Sequence, residues 1–336
     1  MTISLLCTSC YRVPNTIDPQ VAGPIQDHYV KMLPSSFPPL NLDESGTEWG
    51  KEYTIGLAFA ERLDLYRAVT SFKRAEILMP STEKIRKEET QYYVILSYYL
   101  GRRYDDVVET FNDSDLRYVS RDFKTYHDLL VILYESFLTL GEKDQAVHYY
   151  KLIKKNYPET AERLYISTAL VDGALDDIQT WVAEKYDAKI ERSHMYLAST
   201  DLPRMPESWV DRSNADEKID ALVNRYEIHK KSVPKAQTLN ALLPGAGYLY
   251  VGQKQSALTS FLLNTLFTGA AYAFFNNGYI AAGVITSSLE LGWYFGGIFG
   301  AGESAKLYNE RLYERDASNV MQKEQLFPFF TLKFGF

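Results

Sequence analysis

The sequence has few cysteines and no excess of basic charge. Cys7 and Cys10 are the only cysteines among its 336 residues, so no framework of disulfides stabilises a fold. The formal net charge is −7 at pH 7. Nucleic-acid binding usually requires a basic stripe, so the composition argues against a nucleic-acid partner.

The sequence also lacks the short motifs that carry common enzyme chemistry. Its five histidines are scattered and include no H-E-x-x-H pair, and neither a G-x-S-x-G elbow nor a phosphate loop occurs. The run Gly245-Ala246-Gly247 follows no predicted strand, which excludes a dinucleotide loop. We therefore predict a protein that is not an enzyme and uses no cofactor or metal. A membrane enzyme with unfamiliar residues is the weaker alternative.

Charge is missing from a long C-terminal stretch. No charged residue occurs from Gln255 to Leu289, and after Glu290 none occurs from Leu291 to Gly302. About 20 apolar residues cross the hydrocarbon core of a bilayer as a helix. The stretch predicts two such helices, Ser256–Phe275 and Tyr279–Ala301, joined by an Asn-Asn-Gly turn into a membrane hairpin. A buried helical pair in a soluble core is the alternative.

The second of these helices contains a carboxylate and a stripe of small residues. A charge in the bilayer costs about 2.5–3.5 kcal/mol on insertion scales, so Glu290 should have a partner or be protonated. It either bonds Asn264 or Thr265 across the hairpin, or contacts another membrane protein. The small residues suit close helix packing within the hairpin or with a partner. They recur every four positions at Gly292, Gly296 and Gly300.

Three similar stretches follow one another in the first half of the chain. Aligning Ala68, Val107 and Ala146 gives a constant spacing of 39 residues, and aromatic residues then align as well. Each unit is expected to bury its apolar face only by stacking on the next. The aligned aromatic sets are Phe59, Tyr98 and Phe137, and Phe72, Phe111 and Tyr150.

The repeats resemble the tetratricopeptide repeat, which has small residues and aromatics at fixed positions on two paired helices. The middle unit lacks the final proline, and the period exceeds the usual 34 residues. The resemblance implies an all-α solenoid with a concave groove that holds a protein or peptide partner. In the first unit the matching residues are Gly56, Phe59, Ala68, Phe72, Ala75 and Pro80. By the register of the repeat, the residues expected to face the groove are Tyr53, Tyr92, Leu96, Tyr99 and Glu135.

The N-terminus and the charges beside the hairpin give conflicting predictions of location. The run Leu6-Cys7-Thr8-Ser9-Cys10 resembles a bacterial lipoprotein cleavage site, with Cys10 as the lipidated residue, and would place the protein outside the cytoplasm. The alternative is a disordered terminus with two ordinary cysteines. Basic residues on both flanks of the hairpin instead predict an inner-membrane protein with cytoplasmic repeats. The sequence leaves both locations open.

The last third of the chain resembles uncharacterised bacterial envelope proteins. Its P-G-x-G-x-x-Y-x-G run at 244–252 and the later Glu290–Tyr294 are similar to the hairpin modules of those proteins. This resemblance implies a membrane location and contact with lipid. Beyond it, alternating apolar residues in Leu326–Phe336 are typical of a half-buried strand.

These observations predict five regions and a scaffold function. We expect an envelope-membrane scaffold that binds a protein partner, and protein insertion or assembly is a process it could serve. A component of an oligomeric transporter that uses Glu290 is the alternative. The regions are a signal-like remnant and proline-rich linker (1–45), tetratricopeptide-like repeats (46–189), a helical linker (190–240), a membrane hairpin (241–314) and a tail with a terminal strand (315–336).

Overall fold

The computed structural model describes residues 13–14, 16–21, 27–180 and 207–336. In these ranges the chain forms α-helices and two 3₁₀ turns with no β-strand, which confirms the all-α class. The chain divides into two compact units. We call them the repeat unit (Gly23–Thr168 with Met321–Phe336) and the helix-pair unit (Met1–Ala22 with Ala169–Val320).

The repeat unit consists of helices that pack against their neighbours in sequence. It therefore has the helical repeat-like architecture that the 39-residue spacing predicts. Its helices are α1 (Asp27–Met32), α2 (Leu42–Gly46), α3 (Glu48–Ala60), α4 (Leu65–Leu78), α5 (Lys84–Leu100), α6 (Tyr104–Asp113), α7 (Tyr126–Thr139), α8 (Lys143–Asn156) and the first part of α9 (Pro158–Asp172), with 3₁₀ turns at Asp115–Tyr118 and Pro328–Thr331.

The repeat register is confirmed at the second helix of each pair. Helices α4, α6 and α8 begin at residues 65, 104 and 143. The fourth residue of each is Ala68, Val107 or Ala146, and these side chains are at most 2% exposed. A small or compact side chain recurs there because the paired helices approach closely at that point.

The turn before each of these helices also repeats. Leu63, Arg102 and Gly141 occupy equivalent positions and have φ angles of 59°, 57° and 78°. In each turn the next residue donates its backbone N–H to a carbonyl five residues earlier, over 2.9 Å. Only glycine adopts positive φ without steric cost, so the first two turns store backbone strain that the third avoids.

Part of the predicted N-terminal linker is packed onto the repeats. The Arg86 guanidinium contacts the carboxylates of Glu44 at 2.8 Å and Glu89 at 2.7 Å, and donates to the carbonyls of Pro38 at 3.0 Å and Pro39 at 3.3 Å. The hydrogen bond from Arg86 holds the pKa of Glu44 below its usual value. Residues 29–45 are thus part of the repeat unit, and the partly buried Arg86 holds the stretch from Pro38 to Glu44 against α5.

The helix-pair unit has its own core. The rings of Tyr226 and Tyr313 pack edge to face at 5.8 Å, and the Tyr313 hydroxyl donates to the Leu170 carbonyl. Its helices are α10 (Glu207–His229), α11 (Val233–Leu242), α12 (Ala246–Val251), α13 (Lys254–Asn276) and α14 (Ile280–Lys323), of which the last ends in the repeat unit.

Helices α13 and α14 follow the two predicted apolar helices. A tight turn joins them, and the contacts between Thr268 and Glu290 and between Phe275 and Gly283 show that they run antiparallel. Helix α14 continues 22 residues beyond Ala301, the predicted end. Among the described helices, α13 alone is long and apolar enough to cross a membrane.

Candidate functional site

A buried carboxylate on α7 binds the backbone of the last residues of the chain. Asp128 is fully buried, and its Oδ1 lies 2.7 Å from Nδ1 of His127. Its Oδ2 accepts hydrogen bonds from the N–H groups of Lys333 and Phe334, each at 2.9 Å. We call Leu326–Phe336 the Phe-rich segment.

The N-terminal part of the repeat unit binds the same segment from its other side. Ser36 donates to the Gly335 carbonyl from its backbone N–H at 3.2 Å and from its Oγ at 2.5 Å. Gly335 donates in turn to the Pro34 carbonyl at 2.9 Å. Together these bonds form an isolated parallel bridge between Ser35 and Gly335. The segment is therefore held through its main chain on both sides.

A tyrosine hydroxyl holds the segment further upstream. The Tyr29 hydroxyl lies 2.9 Å from the carbonyl oxygen of Phe330 and 3.1 Å from that of Leu332. The Tyr29 ring also packs edge to face on the rings of Phe329 and Phe330, with centroids 6.2 Å and 5.0 Å away. Partial burial raises the pKa of Tyr29, which keeps its hydroxyl protonated as a donor.

Aromatic and cationic side chains of the repeats contact the end of the segment. The ring of Phe336 lies 5.8 Å from that of Tyr93 on α5. The ammonium group of Lys124 lies 5.0 Å from the centroid of the Phe334 ring, within the range of a cation–π interaction. We call the surface formed by Pro34, Ser36, Tyr93 and Asp128 the segment site.

The His127–Asp128 pair is engaged by the Phe-rich segment and by Thr160 in this geometry. His127 Nε2 lies 2.9 Å from Oγ1 of Thr160, so the three groups are ordered like a nucleophile, a base and its orienting acid. However, both hydrogen bonds on Oδ2 of Asp128 come from the Phe-rich segment, and His127 is only 4% exposed. The arrangement satisfies a buried charge, as buried charges require.

The residues expected to face the groove lie inside the helical stack. Tyr53, Tyr92, Leu96 and Tyr99 are at most 4% exposed. Helix α5 is buried on almost every face, so neighbouring residues point to different interior surfaces. Tyr93, one position from the predicted Tyr92, is the residue that contacts the segment. These four predicted residues therefore belong to the core, which corrects the expectation that they face a groove.

Glu135, the fifth predicted groove residue, is partly buried beside that core. Its Oε2 accepts a hydrogen bond from the Tyr99 hydroxyl. Burial raises the pKa of Glu135 from 4.5 to about 7, and the bond from Tyr99 opposes the rise. The hydrogen bond thus links α5 and α7, so the Glu135 carboxyl group is not a free group on a groove surface.

The sequence holds one signal for the segment site that was missed. Helix α7 is apolar over most of its length, yet it contains adjacent His127 and Asp128, both buried. Charged residues are almost never fully buried unless they are paired. A buried aspartate in such a helix predicts a donor from elsewhere in the chain, although not which one.

The polar groups between α13 and α14 form a second candidate site. The partner of Glu290 is Thr268, whose Oγ1 lies 3.5 Å from Oε1, rather than the predicted Asn264 or Thr265. Asn264 donates to the Ser260 carbonyl at 2.7 Å on its own helix. The Asn264 Oδ1 and Glu290 Oε2 atoms accept no hydrogen bond in the described structure.

The small-residue stripe packs within the chain at only one of its three positions. A Cβ added at Gly300 would meet the hydroxyl of Tyr248. Additions at Gly292 and Gly296 would meet no atom within 4 Å. The stripe therefore presents two open positions to the surroundings of α14.

Other predicted features lie outside the described residues or have no counterpart within them. Cys10 and residues 190–206 are outside. The predicted terminal strand is wrong, because the described tail forms a 3₁₀ turn and a single bridge. The described residues include no group of His, Cys, Asp and Glu side chains able to hold a metal. Comparison with protein-family models, curated proteins and solved structures found no match to this chain.

Proposed function

We propose that the protein is a membrane-anchored helical-repeat scaffold that binds an extended segment of a protein partner at a bacterial envelope membrane. The proposal depends most on one observation, the apolar side chains that α13 and α14 expose to their surroundings. We also propose that the repeats are tetratricopeptide-like and that the membrane belongs to a bacterial envelope.

Helix α13 has the dimensions and surface of a membrane span. Its 23 residues correspond to about 34 Å, compared with about 30 Å of hydrocarbon in a bilayer. Only 11% of its most apolar 18-residue stretch is buried within the protein. A soluble core helix would bury most of that surface, so the exposure favours lipid as the surrounding solvent.

The first half of α14 supports a second crossing. Glu290 and several glycines and serines make it less apolar than α13, but its large side chains are similarly exposed. Thr268 gives Glu290 a partner from α13, as a carboxylate at that depth requires. The exposed apolar residues of this half are Ile280, Val284, Ile285, Leu289, Leu291, Trp293, Phe295 and Phe299.

The connectivity of the repeat unit also favours two crossings. This unit contains residues from both sides of the apolar helix pair, namely 23–168 and 321–336. Segments that share one compact unit lie on the same side of a membrane. The chain between them must then cross an even number of times, which a hairpin of α13 and α14 satisfies.

The segment site supports the scaffold part of the proposal. It binds an extended chain through backbone groups, and main-chain hydrogen bonds of this kind are a common mode of peptide recognition. In this structure the bound chain is the protein's own Phe-rich segment. The same chemistry is suited to a protein partner.

A transport component is the second candidate function. The uncompensated oxygens of Asn264 and Glu290 and the open positions Gly292 and Gly296 favour it, because an oligomer could complete their contacts. Flux through reconstituted vesicles that Glu290→Gln abolishes would support this candidate. Unchanged flux in that variant would contradict it.

Membrane fractionation tests the anchor. We expect the full chain to stay in the membrane after carbonate or high-salt extraction, and deletion of residues 255–302 to release it. Both proteins should carry Cys10→Ser, because a lipid anchor would mask the deletion, and full-length Cys10→Ser is the matched control. Extraction of that control by carbonate would contradict a spanning hairpin.

Reporter fusions then test the topology. A reporter inserted at Asn277, in the turn between the helices, is expected on the opposite side of the membrane from one placed after Phe336. If both report the same compartment, α13 and α14 do not cross as a pair. The proposal then loses its membrane anchor, whatever partner the repeats bind.

A further inference from the structure

We propose that Lys333–Phe336 is a displaceable ligand held in cis by the segment site, and that the partner is an extended protein segment with an aromatic-Gly-aromatic sequence. The proposal rests on the scaffold function above. It adds the chemistry of the partner segment and a competition that regulates its access.

The hydrogen bonds at the segment site select a backbone conformation. Asp128 and Ser36 bind only main-chain groups of the segment, and Pro34 accepts from the Gly335 amide. Any chain that presents two successive N–H groups followed by a paired N–H and C=O group can form the same bonds. The site therefore recognises a particular backbone conformation: two successive N–H groups turn toward one carboxylate oxygen, and a single bridge of the kind found at a sheet edge follows at Gly335.

The side-chain contacts add sequence selectivity. A Cβ at Gly335 would lie 2.9 Å from the Val30 carbonyl oxygen and 3.4 Å from the Leu33 Cβ, so the backbone leaves little room for a side chain. On either side of this glycine, Phe334 contacts the Lys124 ammonium group and Phe336 contacts the Tyr93 ring. The preferred ligand thus has glycine between two aromatic residues.

Burial divides the Phe-rich segment into a fixed and an exchangeable part. Phe329 and Leu332 are each 2% exposed and belong to the core of the repeat unit. Beyond them, Gly335 is buried, but Lys333 is exposed, and Phe334 and Phe336 are only partly buried. The last four residues can therefore leave while Leu326–Leu332 stays in place.

The electrostatics of the site favour exchange of one ligand for another over an empty site. If Lys333–Phe336 left without replacement, the fully buried Asp128 would lose both donors to its Oδ2. Asp128 would keep only His127 Nδ1 as a partner, and the loss of two hydrogen bonds to a charged group is destabilising. An incoming segment that supplies two N–H groups removes this cost, so the partner and the resident residues compete for one position.

Competition in cis lowers the apparent affinity of the partner. If the resident residues occupy the site about 99% of the time, apparent affinity falls about 100-fold. A short tether gives the resident an effective concentration of the order of millimolar. A partner concentrated on the same membrane, or one with further contacts, overcomes this competition better than a free peptide does.

An appended competitor tests the proposal in the full chain. The intact protein is followed by a flexible linker of about 20 residues and a second Lys-Phe-Gly-Phe motif, and Phe336 is replaced by 4-fluorophenylalanine. In the parent chain without the appendage, the fluorine spectrum should show one bound environment. With the appendage we expect a second, free population of at least about 10%, since both copies compete at similar effective concentrations.

The matched control carries Lys-Phe-Ala-Phe on the same linker, which the backbone around Gly335 should reject. We expect its spectrum to match that of the parent chain. A free population that is absent with both appendages, or equal with both, would overturn the proposal, as would a free Phe336 in the parent chain.

A second measurement uses hydrogen exchange. Asp128→Asn should speed exchange at the Lys333 and Phe334 amides at least tenfold, whereas Glu109→Gln on the exposed face of α6 should leave them unchanged. Equal protection in both variants would contradict the role of Asp128. These experiments do not depend on membrane partition, so loss of the membrane anchor and failure of the competition are separate outcomes.

Discussion

Replacement of Gly56 by alanine should place a methyl group inside an aromatic cluster that has no space for it. Gly56 lies on α3, where an added Cβ would sit 2.7 Å from two carbons of the Phe72 ring. The Phe72 ring is fully buried and stacks on Tyr93 at 5.2 Å, with Tyr53 edge-on at 6.0 Å. Ordinary carbon contacts are about 3.5–4.0 Å, so the ring must move by roughly 1 Å against packed neighbours.

Two effects of opposite sign determine how much Gly56→Ala changes the free energy of unfolding. Overpacking of a core costs about 1–3 kcal/mol. Alanine stabilises a helix relative to glycine by about 1 kcal/mol. We therefore expect Gly56→Ala to lower the free energy of unfolding by about 1 kcal/mol in the native background. With Phe72→Leu present, the clash is relieved and the same change should stabilise the protein by up to about 1 kcal/mol.

The assay is a double-mutant cycle in the full chain, with urea unfolding followed by fluorescence. Trp49, which is buried on α3, reports on the repeat unit once the other tryptophans are replaced by phenylalanine. The expected coupling energy between positions 56 and 72 is at least about 1 kcal/mol. Gly56→Ala should destabilise the native background and stabilise the Phe72→Leu background. An equal effect of Gly56→Ala in both backgrounds would refute the close packing of α3 on α4. The tryptophans to be replaced are Trp181, Trp209 and Trp293.

Two further changes probe single groups in the repeat unit. The pKa of Glu135 is about 7 when folded and 4.5 normally, so its contribution to stability is complete below about pH 4.5 and is lost as the pH rises through 7. Glu135→Gln should abolish this pH dependence of the free energy of unfolding, as measured by urea titrations at several pH values. At pH 8 it should raise the free energy of unfolding by up to about 3 kcal/mol. An unchanged pH dependence would exclude the Glu135 carboxyl group as its source. Gly141→Ala should cost about 1 kcal/mol through its positive φ alone, since no atom lies within 4 Å of the added Cβ. Gly46→Ala, also in open space but without positive φ, is its control, and equal thermal melting of the two would argue against the turn geometry.

Features of the fold that arise from neighbouring residues could be predicted from the sequence. The 39-residue register was correct because Ala68, Val107 and Ala146 each lie where two consecutive helices meet. The position of α13 was correct because a run without charge is a local property. Each of these signals depends on residues within one helix or one pair of consecutive helices.

The segment site could not be predicted in the same way, because its parts are far apart in the chain. Nothing near Asp128 indicates that Lys333 and Phe334 supply its donors. The adjacent aromatics Tyr92 and Tyr93 differ by about 100° around α5, and composition does not show which one faces the segment. The alternation in the Phe-rich segment predicts a strand, but a non-strand chain packed across helices has the same alternation.

The bond between Ser36 and Gly335 joins residues that are 299 positions apart. At about 5–20 residues per second, a ribosome needs about 15–60 s to synthesise the chain between them. The apolar helix pair emerges within that interval, so the repeats must wait with Asp128 and the neighbouring aromatic surface uncovered. The last step in folding of the repeat unit is then closure of a very long loop. If the repeats bind a partner as we propose, the newly made protein meets that partner without competition until this step.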